Sequence, residues 1–120
     1  MSATMNVTKF VIAVFATLIV ASAYGYDKSK VARHIREAEY YTKQAETYDR
    51  DAAYYTRQAQ KHMKDAEYYS KRGNDSKAKT YMRWAKEASA KAVLRTRRAK
   101  EARDKAQLRM KWAEDEMKRK

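Results

Sequence analysis

Residues 38–51 read AEYYTKQAETYDRD, residues 52–65 read AAYYTRQAQKHMKD, and residues 66–72 begin the unit a third time as AEYYSKR. This fourteen-residue repeat decides the fold. Fourteen residues are two heptads, so each repeated position returns to the same stripe of an α-helix. Alanine holds the first heptad position at Ala38, Ala45, Ala52, Ala59 and Ala66. Three residues further along each heptad the chain carries rings: His34, Tyr41, Tyr48, Tyr55, His62 and Tyr69. A small-residue seam edged by rings at this spacing is an amphipathic helical pattern.

Beyond the repeat the phase breaks at Gly73, Asn74 and Asp75. It resumes as a second alanine series at Ala78, Ala85, Ala92, Ala99, Ala106 and Ala113. The ring position of the first arm corresponds here to Ala88 and Ala102, but also to Arg95 and Arg109, two charges expected to weaken the seam. Met82, Met110 and Met117 lie one position after that ring position, and Trp84 and Trp112 one position before the alanines.

The rest of the composition favours helix. The chain has no proline, and its two glycines are Gly25 and Gly73. Ala, Lys, Arg, Glu and Gln are good helix formers. Opposite charges recur four residues apart, as in Glu39 with Lys43, Glu46 with Arg50, and Lys100 with Asp104. Gly73 suits a left-handed helix end, and Asp75 or Ser76 can cap the next helix. These signals predict helix one over 28–72, a turn at 73–75 and helix two over 76–118, each roughly 65 Å long at the standard rise.

Arms of matching length predict an antiparallel fold-back. The fold class is therefore all-α: a long two-helix hairpin with the alanine seams facing, Ala66 near Ala78, Ala59 near Ala85 and Ala38 near Ala106. In architecture it resembles the close-packed antiparallel coils called alacoils. An alanine layer buries little area at roughly 25 cal/mol per Å², and the tyrosine rings add more. So thin a seam points to self-association. The competing reading is a weakly stable helix, partly disordered when alone.

The N-terminal stretch differs in kind. Lys9 precedes an apolar run, Phe10 to Val20 (FVIAVFATLIV), and small residues Ala21, Ser22 and Ala23 follow. This is the pattern of a signal peptide over 1–23, cleaved after Ala23 or alternatively after Gly25, with 24–27 as a short lead into helix one. The run is short for a membrane span of ~20 residues, which disfavours an uncleaved anchor. Secretion into the extracellular space is the expected localisation.

After such cleavage, Val31, Ile35, Val93, Leu94 and Leu108 are the only Val, Ile or Leu left, too little for a compact globular core. Cysteine is absent, so no disulfide framework or thiol chemistry compensates. The formal net charge is +13, and Lys9 is the only charged residue before the cleavage point. The expected mature chain is strongly basic and biased toward polyanions.

No catalytic constellation is legible: neither a cysteine nucleophile, a glycine-rich phosphate loop nor an HExxH pair is present. The expectation is a non-enzyme with no cofactor and no metal. His34 and His62 lie about 42 Å apart along one straight helix, too far to share an ion within a chain. Both read as seam fillers. Glu114, Asp115 and Glu116 read as a solvated acidic face.

Three YY pairs place Tyr40, Tyr54 and Tyr68 beside the ring position. Packing is the plain reading of such a stripe. The sharper one gives these rings a part in oxidative cross-linking or surface adhesion. Asn74-Asp75-Ser76 is an N-x-S sequon in the turn, which makes Asn74 a candidate glycan acceptor; ordinary turn chemistry explains it equally well. A basic group in helix two, Arg95, Arg97, Arg98, Lys100, Arg103 and Lys105, is the candidate polyanion contact.

These observations suggest a secreted structural protein of an extracellular matrix or secreted material, fibrous or mineral-associated. The expected partners are other copies of the chain, an acidic polysaccharide, an acidic matrix protein or a mineral surface. Nucleic acid is disfavoured by secretion and by the lack of a docking motif. A cationic host-defence or membrane-active role is the first alternative, and the scarcity of Leu, Ile and Phe weighs against insertion. An extracellular adaptor for an acidic partner is the second.

Overall fold

The computed structural model describes residues 26–119. The signal-peptide reading of 1–23 and its alternative cleavage points lie outside them. The described residues are all-helical, without strands: two long helices packed in a hairpin. Helix α1 spans Lys28–Lys71 and helix α2 spans Asp75–Lys118. No helix among the described residues is long and apolar enough to cross a membrane.

Side-chain oxygens organise both helix starts. Asp27 Oδ1 accepts from the backbone N–H of Ser29 at 3.0 Å and of Lys30 at 3.2 Å. At α2 the cap is Asn74, whose Oδ1 accepts from Lys77 N–H at 3.2 Å, rather than the expected Asp75 or Ser76. The chain leaves α1 one residue earlier than a cap at Asp75 requires. Asn74 N–H bonds back to the Tyr69 carbonyl at 2.9 Å, and the free helix donors then fall to its side chain.

Gly73 sits between the helices at φ 76°, and a Cβ built there meets nothing within 4 Å. Replacing it by alanine therefore costs only the left-handed backbone penalty, about 1–2 kcal/mol. The expected result for Gly73→Ala is a melting temperature lower by several degrees, with asparagine, which tolerates this conformation better, falling between. An unchanged melting curve for the alanine variant would contradict this account of the turn.

The chain divides into two compact units. One joins the stretch ending at Glu46 to the stretch beginning at Ala99, and the other is Thr47–Arg98. In the first unit Val31, Ile35, Ala38, Met110 and Ala113 form a buried cluster with Tyr26, and Met117 packs against it. Ala45, Ala99, Ala102 and Ala106 are also buried there. Thr42 is buried as well, its hydroxyl donating to the Ala38 carbonyl at 2.8 Å. That bond lets a polar side chain occupy the interior without an unsatisfied donor.

In the second unit the buried residues are Ala52, Ala59, Ala66, Ala85, Ala88 and Ala92, with no large aliphatic among them. Ala78, at the turn end of the series, is only half-buried.

The observed pairing differs from the alanine-to-alanine register. In the first unit Tyr41 lies under Lys105 and Arg109, His34 meets Trp112, and Ala38 shares its cluster with Met110 and Ala113. In the second unit Tyr55 lies near Lys91 and Arg95, and His62 meets Trp84. Each unit is thus displaced by roughly half a heptad from the expected register. The reason is volume. Alanine facing alanine at every step would also bring ring layers against bulky layers, too thin and too thick in turn. Staggering the helices lets the rings of α1 meet the tryptophans and the long cations of α2 along the edge of the alanine seam.

Candidate functional site

Side chains gather chemistry along the ring position of α1 and the adjacent positions of α2, separately in each unit. The fourteen-residue repeat is the cause, because it returns the same residue types to the same stripe. Each YY pair is built alike. Tyr40 and Tyr41 stand edge to face at 5.3 Å, Tyr54 and Tyr55 at 5.2 Å, and Tyr68 and Tyr69 at 5.0 Å. The inner ring of each pair is half-buried and the outer one exposed, Tyr40, Tyr54 and Tyr68 at 59%, 50% and 49%. Around the outer rings, Gln44 Nε2 donates to Tyr40 Oη at 3.0 Å, and the Arg72 guanidinium covers Tyr68 at 3.6 Å.

The inner rings carry cations from α2. In the second unit Lys91 Nζ lies 5.5 Å and Arg95 Cζ 6.0 Å from the Tyr55 centroid. In the first unit Lys105 Nζ lies 5.5 Å and Arg109 Cζ 5.8 Å from that of Tyr41. Arg95 and Arg109 therefore do not interrupt packing as the sequence suggested. Their planar guanidiniums approach ring faces whose quadrupole attracts them. Arg109 is further held by Glu37 at 2.7 Å and lies 4.4 Å over Trp112. The Arg109 Nε–H is not directed well enough at that carboxylate to count as hydrogen-bonded, so the charge attraction is what holds the pair.

Both histidines sit against tryptophan. His34 and Trp112 are 5.7 Å apart at 67°, and His62 and Trp84 are 5.7 Å apart at 63°. Tyr81 closes the turn end, stacked on Tyr69 at 5.4 Å and 5.1 Å from Trp84. The Nδ1 atoms of His34 and His62 are buried without a hydrogen-bond partner. In the sequence the histidines have the spacing of seam fillers, and nothing local links them to the tryptophans. Each pair joins residues far apart in sequence, and the connection depends on the register.

The basic residues singled out in the sequence fall in different places. Arg95 and Lys105 face tyrosines in separate units, and Arg97 and Arg98 are exposed. Lys100 pairs with Asp104 at 3.1 Å, and Arg103 is half-buried. Asn74 is exposed in the turn. No group of three or more His, Cys, Asp or Glu among the described residues is placed to hold a metal ion.

The second unit has several hollows, one of them of about 370 Å³ at the turn end beside Ala66, Ala78 and Met82. Another, of about 750 Å³, runs beside Ala59, Met63, Ala92 and Val93. A third, of about 210 Å³, lies between Tyr55, His62, Trp84 and Lys91. Comparison with known proteins gives no matching family model, no matching curated protein and no matching solved structure, so the chemistry of these side chains has to carry the functional reading alone.

Proposed function

We propose that the chain is a secreted, basic structural protein of an extracellular matrix or secreted material, working through helical self-association and polyanion contact. In this reading a signal peptide over 1–23 precedes an antiparallel, alanine-seamed coiled coil. The observation that carries it is how little the hairpin buries for itself. Alanines make up most of the interior, while Met63, Met82, Trp84, Val93, Leu108 and Trp112 remain exposed. Interior that thin gains from a second copy, and the hollow beside Ala59, Met63 and Val93 is a surface where apolar area remains to be covered. The exposed outer tyrosines fit adhesion or oxidative cross-linking, and Asn74 fits a glycan acceptor.

Expression of the whole precursor in a secreting host tests the first half. Product should appear in the medium with its N-terminus at Tyr24 or Tyr26; retention inside the cell would overturn the localisation. Sedimentation of that product across concentration and salt tests the second half. Assemblies that grow with concentration are expected, whereas a strictly monomeric species at high concentration would overturn the structural role.

One observation favours a second reading. Trp112 lies under the Arg109 guanidinium and Tyr41 under Lys105, pairings of ring and cation that suit anionic membrane surfaces. Leakage from anionic vesicles at low protein concentration would move the assignment to a membrane-active protein.

A further inference from the structure

We propose that the hollow between Tyr55, His62, Trp84 and Lys91 is a subsite for one acidic sugar unit of an anionic polysaccharide, and that Tyr41, His34, Trp112 and Lys105 build a second in the other unit. The inference rests on the extracellular reading above and gives its polyanion a chemical class.

The hollow has a size of about 210 Å³, below the range of drug-sized ligand pockets and suited to a single sugar ring. The small side chain of Ala88, buried at 7% exposure, leaves the space open between its lining rings. Rings line it beside polar groups, with His62 and Trp84 crossing at 63° and Trp84 still 41% exposed. A partly exposed indole is suited to receive the apolar C–H face of a pyranose. Gln58 and Glu87 line the rim, offering an amide and a carboxylate to sugar hydroxyls. His62 Nδ1 is an unspent buried polar atom in the same wall. Lys91 supplies the cation for a uronate or sulfate group, with Arg95 behind it on the Tyr55 ring.

Other anionic ligands fit less well. A nucleobase would stack on a single exposed ring, but it leaves the Gln58 and Glu87 rim without hydroxyl partners. An acyl chain needs a longer apolar slot than these walls provide. Hydroxyl-rich, ring-shaped and anionic is the combination that matches.

Repetition supports a built site over incidental packing. In the first unit the same four residue types converge: His34 and Trp112 at 5.7 Å and 67°, and Lys105 at 5.5 Å from Tyr41, against 5.7 Å, 63° and 5.5 Å in the second. Seam filling calls for rings toward the interior. It does not call for an exposed tryptophan one heptad from a lysine twice over. The two copies differ in the order of their residues, which is reversed along both helices, and in that Arg109 already covers Trp112. The Trp84 copy is therefore the open one.

The two tryptophans are the only ones in the chain, so their fluorescence reports directly on both subsites. The test titrates the full secreted product with oligogalacturonate, neutral dextran oligosaccharide, polyphosphate, single-stranded DNA and anionic phosphatidylserine vesicles. Oligogalacturonate is expected to shift tryptophan emission and to retain part of its binding at high salt, while dextran binds far more weakly. Trp84→Ala and Lys91→Gln, each checked for unchanged helicity, should weaken oligogalacturonate binding roughly tenfold. Polyphosphate binding should be fully salt-sensitive and indifferent to Trp84→Ala.

The proposal is overturned if oligogalacturonate leaves the emission unchanged, if both variants bind it like the parent, or if DNA or vesicles give the larger emission shift. Failure is separable from failure of the structural role. A monomeric chain that still binds the acidic sugar removes self-association alone, and an assembling chain that ignores it removes the subsite alone.

Discussion

Met110→Ala should lower the stability of the hairpin by about 2–5 kcal/mol, the cost of emptying a buried methionine site. Met110 is 0% exposed and shares its cluster with Val31 at 0% and Ile35 at 1%. These are the largest fully buried side chains in the described residues. Ala38 and Ala113 in the same cluster are too short to move into the space a lost thioether leaves, so any refilling falls to Tyr26 and Met117. For a chain of this size, a loss of that magnitude lowers the melting temperature by roughly 10 °C or more. Thermal circular dichroism at one fixed protein concentration measures it, because self-association makes the midpoint concentration-dependent. The matched control is Met63→Ala. Met63 is 43% exposed, and its truncation should stay within about 0.5 kcal/mol of the parent. Equal effects of the two substitutions would contradict the burial pattern.

Ala106→Leu should be nearly as damaging in the opposite sense, by adding volume instead of removing it. Ala106 is 0% exposed, and Ala99, one heptad before it, is also at 0%. Closely approaching backbones leave no room for three further carbons. Overpacking of this kind costs about 1–3 kcal/mol, through displaced backbone or forced rotamers. Ala53→Leu isolates the packing effect, since Ala53 is exposed on α1 and leucine is almost as good a helix former as alanine. The expected order of melting temperatures is parent and Ala53→Leu together, Ala106→Leu well below. A leucine at 106 that raised the midpoint would show that the helices lie further apart than the burial implies.

Several features of the fold were legible because they depend on local chemistry. The helices follow from periodic alanine, an absence of proline and abundant helix formers, all of which act within a turn or two of the residue concerned. The reversal between the helices follows from Gly73, since only glycine takes φ 76° without penalty. The expected caps of α2, Asp75 or Ser76, lie one and two residues beyond the cap the structure uses, Asn74. Asn, Asp and Ser stand in succession at 74–76, all competent caps, and only the backbone path selects among them.

The candidate site was less legible. The YY pairs could be seen as a repeat, but not that each inner ring would carry a cation from the other helix. Arg95 and Arg109 looked like interruptions because a charge on a seam is costly when it has no partner. Tyr41, Tyr55 and Glu37 supply what the charge needs, and none of them adjoins those arginines in sequence. His34 and His62 were read one at a time, so their common pairing with tryptophan stayed hidden.

The sequence by itself determined that the described chain is helical, where it turns back and which stripe of each helix carries alanine, because each of these is set by neighbours three to seven residues away. Tertiary structure alone decided the register, and with it every pairing of consequence: His34 with Trp112, His62 with Trp84, and the cations over Tyr41 and Tyr55. The physical reason is that alanine seams are nearly featureless along their length. They permit several registers of similar burial, and the pairing of the α1 rings with the tryptophans and cations of α2 selects one.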